Sequence, residues 1–182
     1  MRWESLFGDL EASFAAEEAA GLASEIDEAV RAERSSLRLT DRFRASRGEQ
    51  VRLLLLGGLR LTLRLGVVGR DWISGTWGHH EVLVPLAAVQ SAGGLARLGE
   101  QERSESRIRL GLASPLRALA RDRARVSLSG AGGVVAEGLL MGVGRDALDV
   151  LPLAAGEHPR ARRPEDVETV PFSALVMVSG EG

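Results

Sequence analysis

The sequence predicts a mainly β protein with helices, an α+β chain in which an N-terminal amphipathic helical arm precedes two duplicated small β-barrels, each led by a short helix. Three observations predict it. Apolar residues recur at helical spacing through the first 36 positions. The stretch Val51 to Asp71 recurs without a gap as Val126 to Asp146, with nine identical pairs in 21 positions. Within each copy the apolar residues alternate with the period of strands. The chain therefore divides into an acidic arm (1–36), a first helix-plus-barrel repeat (37–92), a polar linker (93–107) and a second repeat (108–182).

In the arm, Trp3, Leu6, Phe7, Leu10, Phe14, Leu22, Ile26 and Val30 form an apolar stripe, and Glu17, Glu18, Glu25, Asp27, Glu28 and Glu33 occupy the other face. Gly21 is the place for a kink or a break into two helices. Residues 1–35 hold three arginines against nine acids, which leaves the rest of the chain 20 arginines against 16 acids. An acidic polar face is a poor match for anionic lipid. The stripe is accordingly expected to dock on its own chain or pair in an oligomer. Leu6, Phe7, Leu10 and Phe14 are its candidate partner-binding residues.

Each repeat opens with a short helix. "LTDRFRASRG" (39–48) parallels "LASPLRALAR" (112–121), with Thr40, Asp41 and Ser114 as expected caps and Pro115 at the first helical position. Strands follow. "LRLTLRL" (59–65) sets leucines against Arg60, Thr62 and Arg64, one face buried and one wet. Gly57-Gly58 and Gly132-Gly133 lie between strand-like runs and supply the positive φ of a tight hairpin. Gly69-Arg70-Asp71 and Gly144-Arg145-Asp146 mark a second turn, with the aspartate expected to accept backbone amides beyond it. "VPLAAV" (84–89) and "VPFSAL" (170–175) read as strand, very short turn and last strand, giving about five strands per copy. The second copy carries eleven extra residues near "LPLAAGEHPRARRPED", a polar, proline-bearing loop.

The order of helix, then five strands, resembles the Sm-like fold, a small SH3-like barrel. "GGVVAEGLLMGVGRDALDVL" is similar to that family's first motif, with Gly133 at the hairpin, Gly138 in the bent strand and Asp146 near the turn. The resemblance covers about 37–92 and 108–179. The arrangement also looks like a family of uncharacterised proteins from high-GC actinobacteria. Sm-like proteins that hold uridine-rich RNA place an asparagine after the aspartate and a basic pair such as Arg-Gly in the second motif. This chain has no asparagine, and "VPLAAV" and "VPFSAL" have neither arginine nor glycine. The resemblance thus implies the fold without the RNA pocket.

Composition excludes several chemistries. With no cysteine there is no disulfide, thiolate nucleophile or cysteine zinc site. All 23 basic residues are arginine, a bias that fits a GC-rich genome as readily as selection for phosphate contacts. A net charge of −2 and 45% apolar residues describe an ordinary globular chain. No apolar run is long enough to span a membrane, and acids interrupt the N-terminus where a signal peptide needs an apolar core, so the cytoplasm is expected. His79 and His80 are neighbours that a strand would point apart, and neither they nor His158 stand in a metal-ligand spacing. No serine occupies a nucleophile elbow, and "GVGRDA" lacks the dinucleotide fingerprint. No catalytic residue, metal, cofactor or small-molecule substrate is indicated.

Two function classes remain. The first is a non-catalytic interaction or scaffold protein that binds a partner protein or itself. Its candidates, besides the arm, are Trp72 and Trp77, which an ideal strand points to opposite faces. The alternative is an RNA- or DNA-binding regulator, with Arg160, Arg162, Arg163, Arg70 and Arg145 as candidate contacts. For Arg70 and Arg145, closing a turn with the adjacent aspartate is the plainer role. The acids around Arg160–Arg163 would largely neutralise that loop.

Overall fold

The computed structural model describes residues 35–102, 104–153 and 164–180, together with the single positions 21, 28 and 31. It divides the chain into two compact units, 1–38 and 39–182. In the first, the described positions Gly21, Glu28, Arg31, Ser35 and Ser36 are helical and exposed. The apolar stripe residues Leu6, Phe7, Leu10 and Phe14 lie outside the described residues, as do Arg160, Arg162, Arg163 and His158. Among the described residues no helix is long and apolar enough to cross a membrane.

The second unit is mainly β. Helix α1 (Leu39–Ala45) leads into β1 (Gln50–Leu55), β2 (Arg60–Val68), β3 (Trp72–Trp77), β4 (His80–Pro85) and β5 (Val89–Gly93). After a short helix α2 (Glu105–Ile108), helix α3 (Ala113–Arg121) leads into β6 (Arg125–Gly130), β7 (Gly133–Val143), β8 (Ala147–Pro152), β9 (Glu168–Pro171) and β10 (Met177–Gly180). The strands form one antiparallel sheet in the order β5-β1-β2-β3-β4-β10-β6-β7-β8-β9, which does not close on itself. Each half of that order follows the same rule, last strand first and then the others in sequence.

The duplication extends to register. Leu53 faces Ala92 and Arg52 faces Gly93, while Leu128 faces Val178 and Ser127 faces Ser179. Ile73 faces Val84, and its counterpart Leu148 faces Val170. The alternation read in the sequence sets the burial of β2, where Leu61, Leu63 and Leu65 are inside and Arg60, Thr62 and Arg64 are outside. Each half has its own apolar cluster, and the halves exchange residues. Val176 and Met177 from the end of the chain enter the first cluster, and Trp72 and Leu83 enter the second.

Several local expectations are corrected. Helix α1 begins at Leu39, so Thr40 and Asp41 lie inside it, and Asp41 pairs with Arg44 at 2.7 Å. Helix α3 begins at Ala113, before Ser114 and Pro115, with Leu112 at the cap position and no side-chain cap of its own. A cap supplied from elsewhere in the chain, the Asp71 carboxylate on the Leu112 N–H, accompanies the early start of α3. The two hairpins also differ. Gly57 (φ 79°) and Gly58 (φ 81°) close a 3-10 turn in the first copy, whereas Gly133 alone has positive φ (115°) in the second.

Candidate interaction surface

The two copies are joined by a contact with two parts. One is a strand pairing: β10, the last strand of the second copy, lies antiparallel to β4 of the first, with Val178 facing Leu83 and Ser179 facing Val82. The other is the turn between β2 and β3. There the backbone N–H of Arg70 donates to the Leu110 carbonyl (3.1 Å), and the Trp72 indole Nε1–H donates to the same oxygen (3.0 Å). Asp71 Oδ1 accepts the Leu112 N–H at 2.8 Å, and Arg70 holds the other carboxylate oxygen at 3.1 Å. The carboxylate thus caps α3 from another part of the chain, where the first helical N–H groups have no partner of their own. Leu112 is then enclosed at 7% exposure with Leu116, Trp72 and Leu83.

Arg70 and Asp71 therefore serve structure, with the aspartate reaching a distant amide instead of the one just beyond its turn. Gly111 sits against the Arg70 guanidinium, where a Cβ would approach within 2.9 Å. Trp72 is buried (6%) and Trp77 is exposed (37%), the opposition that their spacing implies.

The second copy repeats the turn without repeating its occupant. Arg145 and Asp146 are exposed, and neither makes a side-chain hydrogen bond or ion pair among the described residues. Both turns keep two backbone contacts: Gly69 N–H donates to the Trp72 carbonyl as Gly144 N–H does to that of Ala147, and the Asp71 carbonyl accepts Leu86 N–H as the Asp146 carbonyl accepts Phe172 N–H. Ala147 stands where the first copy has Trp72. The counterpart of buried Leu112 is Leu39, which is 44% exposed, and the counterpart of buried Pro85 is exposed Pro171.

Among the described residues two strand edges are unpaired: β5 at one end of the sheet order and β9 at the other. Beside β5 lies a groove of about 500 Å³ whose lining includes Arg52, Arg60, Thr62, Trp77 and Ser91. The Arg52 guanidinium lies 3.2 Å from where a Cβ on Gly93 would stand, and it has no hydrogen-bonding or charged partner among the described residues. Along β9, Glu168 and Thr169 are exposed, and the Thr169 hydroxyl donates to Asp149 at 2.7 Å. A second groove, about 720 Å³ and mostly apolar, runs between β2–β4 and α3, with Val67, Trp72, Leu83, Pro115 and Leu119 among its walls.

His79 occupies the tight turn between β3 and β4 beside Gly78 (φ 62°), and His80 opens β4; both are exposed. Among the described residues no group of three or more His, Asp or Glu side chains gathers in a metal-binding arrangement. The sequence singled out the turn residues and both tryptophans. It missed Arg52, Leu83, Leu110 and Glu168, whose roles depend on strands brought together from distant parts of the chain. Comparisons with protein-family models, curated proteins and solved structures found no match.

Proposed function

We propose that this chain is a tandem pair of Sm-like, SH3-like barrels preceded by a helical arm, and that it acts as a non-catalytic interaction protein. Its free edges β5 and β9 take up a strand from a partner. The observation that carries the reading is the internal joint. Here β4 and a neighbouring turn of one copy already hold the other copy, by main-chain pairing at β4–β10 and by the Asp71 cap. Strand addition draws its affinity from main-chain hydrogen bonds, which any extended segment offers, and its selectivity from flanking pockets. The test is panning the full chain against a displayed library of extended peptides, followed by hydrogen exchange on the complexes. Bound peptides should protect amides of β5 or β9. Peptides that bind while leaving both edges unprotected would overturn the reading.

A second reading has one observation in its favour. Arg52 and Arg60 line the same groove as the exposed Trp77, an arrangement of cations beside an aromatic face that suits single-stranded nucleic acid. Fluorescence anisotropy with labelled RNA and DNA at low and near-physiological salt tests it. Binding that weakens steeply with salt and falls on Arg52→Ala and Trp77→Ala supports that reading. No binding at low salt ends it.

A further inference from the structure

We infer that the outer face of β1 and β2 binds a nucleoside di- or triphosphate, with the phosphates on Arg52, Arg60 and Arg64 and the base against Trp77. The inference goes beyond the strand-addition reading. It takes the groove of the second reading above and assigns it a compact ligand in place of a strand of nucleic acid.

Register builds the cationic half. Arg52 of β1 faces Thr62 of β2, while Leu54 and Gln50 face Arg60 and Arg64. Residues two apart on a strand share a face at about 7 Å, and diagonal neighbours across a strand pair lie about as far apart. Arg52 is therefore diagonal to both Arg60 and Arg64, with Thr62 between those two on β2. All four side chains are exposed. Among the described residues none of the three arginines has a hydrogen-bonding or charged partner. Strands β1, β2 and β5 contain no Asp or Glu. Like charges gathered on one face of a sheet repel, and an anion held among them removes that cost. Guanidinium forks match phosphate oxygens, and the Thr62 hydroxyl adds a donor.

The duplication supplies a control within the chain. At the corresponding positions the second copy has Ser127, Val135 and Leu139, with Glu137 for Thr62 and Pro152 for Trp77. Ser127 faces Glu137 as Arg52 faces Thr62, so the same strand pairing forms without the arginines. Arg125, which replaces Gln50, donates to the Leu153 carbonyl at 2.7 Å. The fold itself does not call for an unpartnered cationic cluster.

Trp77 supplies the aromatic half. It is 37% exposed and lines the groove of about 500 Å³ together with Arg52, Arg60 and Thr62. That volume suits a nucleotide-sized ligand, and a planar base stacks on an exposed indole. Gly93 leaves room for the Arg52 guanidinium, since a Cβ there would lie 3.2 Å from Nη2. The extent of the charge sets the class of ligand. In the row of Arg64 the next strands carry Thr76 and then Glu81, and beyond Arg52 the outer strand offers Gly93. A nucleic-acid strand needs a basic track that continues along its backbone. Here the charge is confined to one cluster, which matches two or three linked phosphates.

The test is titration calorimetry of the full-length chain with ATP and GTP at low and near-physiological salt. Tripolyphosphate, a glutamate-rich peptide and a short single-stranded DNA are the comparisons. ATP or GTP should bind saturably and more tightly than tripolyphosphate. Arg52→Gln and Arg60→Gln should each weaken binding about tenfold, whereas Arg145→Gln, away from this face, should not change it. Trp77→Ala should weaken nucleotide binding about tenfold and leave tripolyphosphate unaffected. The substituted positions are exposed, and thermal unfolding checks that the variants fold. Tripolyphosphate or the acidic peptide binding as tightly as ATP would reveal an unselective cationic surface and overturn the inference. DNA binding that is lost in the Arg52 and Arg60 variants and that ATP does not displace overturns it too, and leaves the second reading standing. No saturable binding of either nucleotide at low salt also overturns it; if the DNA is silent as well, both fall. Peptide protection of β5 or β9 is measured separately, so the strand-addition reading stands or falls on its own.

Discussion

Asp71 and Leu112 meet across 41 residues of chain: the carboxylate accepts the Leu112 N–H at 2.8 Å, so a turn in the first copy caps the helix of the second. This bond explains why α3 starts without a local cap. The glycine and aspartate belong to the turn in both copies, but in one copy the carboxylate is also a ligand for the neighbouring unit.

Asp71→Ala should therefore cost about 1–2 kcal/mol, the usual loss for a helix cap. Asp146→Ala, at an exposed carboxylate with no partner among the described residues, should change stability by no more than about 0.5 kcal/mol. Urea unfolding of dilute protein measures both. Equal losses at the two positions would show that Asp71 acts only through its own turn.

Trp72 tests the same contact from the other side. Trp72→Phe keeps an aromatic ring in the second cluster but removes the Nε1–H bond to Leu110. The expected loss is about 1 kcal/mol for the bond plus a share for the smaller ring. Trp77→Phe, at an exposed strand end, should be close to silent in thermal unfolding.

Legibility in the sequence followed the range of the interaction. Alternation at Leu61, Leu63 and Leu65, the glycine hairpins and the short "VP" turns are local, and their physics is written in neighbouring residues. The pairing of β4 with β10 is not: nothing in "HEVLVP" or "MVSG" names the other strand, because main-chain hydrogen bonds are sequence-blind. The start of α3 is hidden from local sequence for the same reason, since its cap comes from Asp71. Arg52 and Glu168 carry no local signal; register sets Arg52 beside the outer strand β5 and Glu168 on the outer strand β9.

The two hairpins make a paired prediction. Gly57 holds φ 79°, and a Cβ there would run into the Ala131 backbone of the second copy's hairpin. Gly132, its counterpart, has open space and no left-handed φ. Gly57→Ala should destabilise by more than about 1 kcal/mol, and Gly132→Ala should be neutral or slightly stabilising through the unfolded chain. Chemical denaturation would expose the error if the two behaved alike.

Ser46 fastens the segment after β5 onto the first helix. It is 2% exposed, donates to the Arg42 carbonyl at 2.9 Å and accepts the Ala96 N–H at 2.8 Å. Ser46→Ala leaves that N–H without its partner and should cost about 1–3 kcal/mol. Hydrogen exchange at Ala96 should quicken in the variant. Unchanged exchange would mean that the Arg42 Nε bond to the Ala96 carbonyl holds the segment unaided.

Leu112 and Leu39 give the sharpest comparison, because they are the same position in the two copies and differ in what covers them. Leu112 is enclosed by Leu116, Trp72 and Leu83 at the joint, and truncating it leaves a cavity beside a fixed strand pairing. Leu112→Ala should cost about 2–3 kcal/mol, near the lower end for a buried leucine because part of its rim is open. Leu39→Ala removes a side chain that is 44% exposed and should cost well under about 1 kcal/mol in dilute protein. Urea unfolding of the two variants measures both, and equal losses would show that the joint does not enclose Leu112.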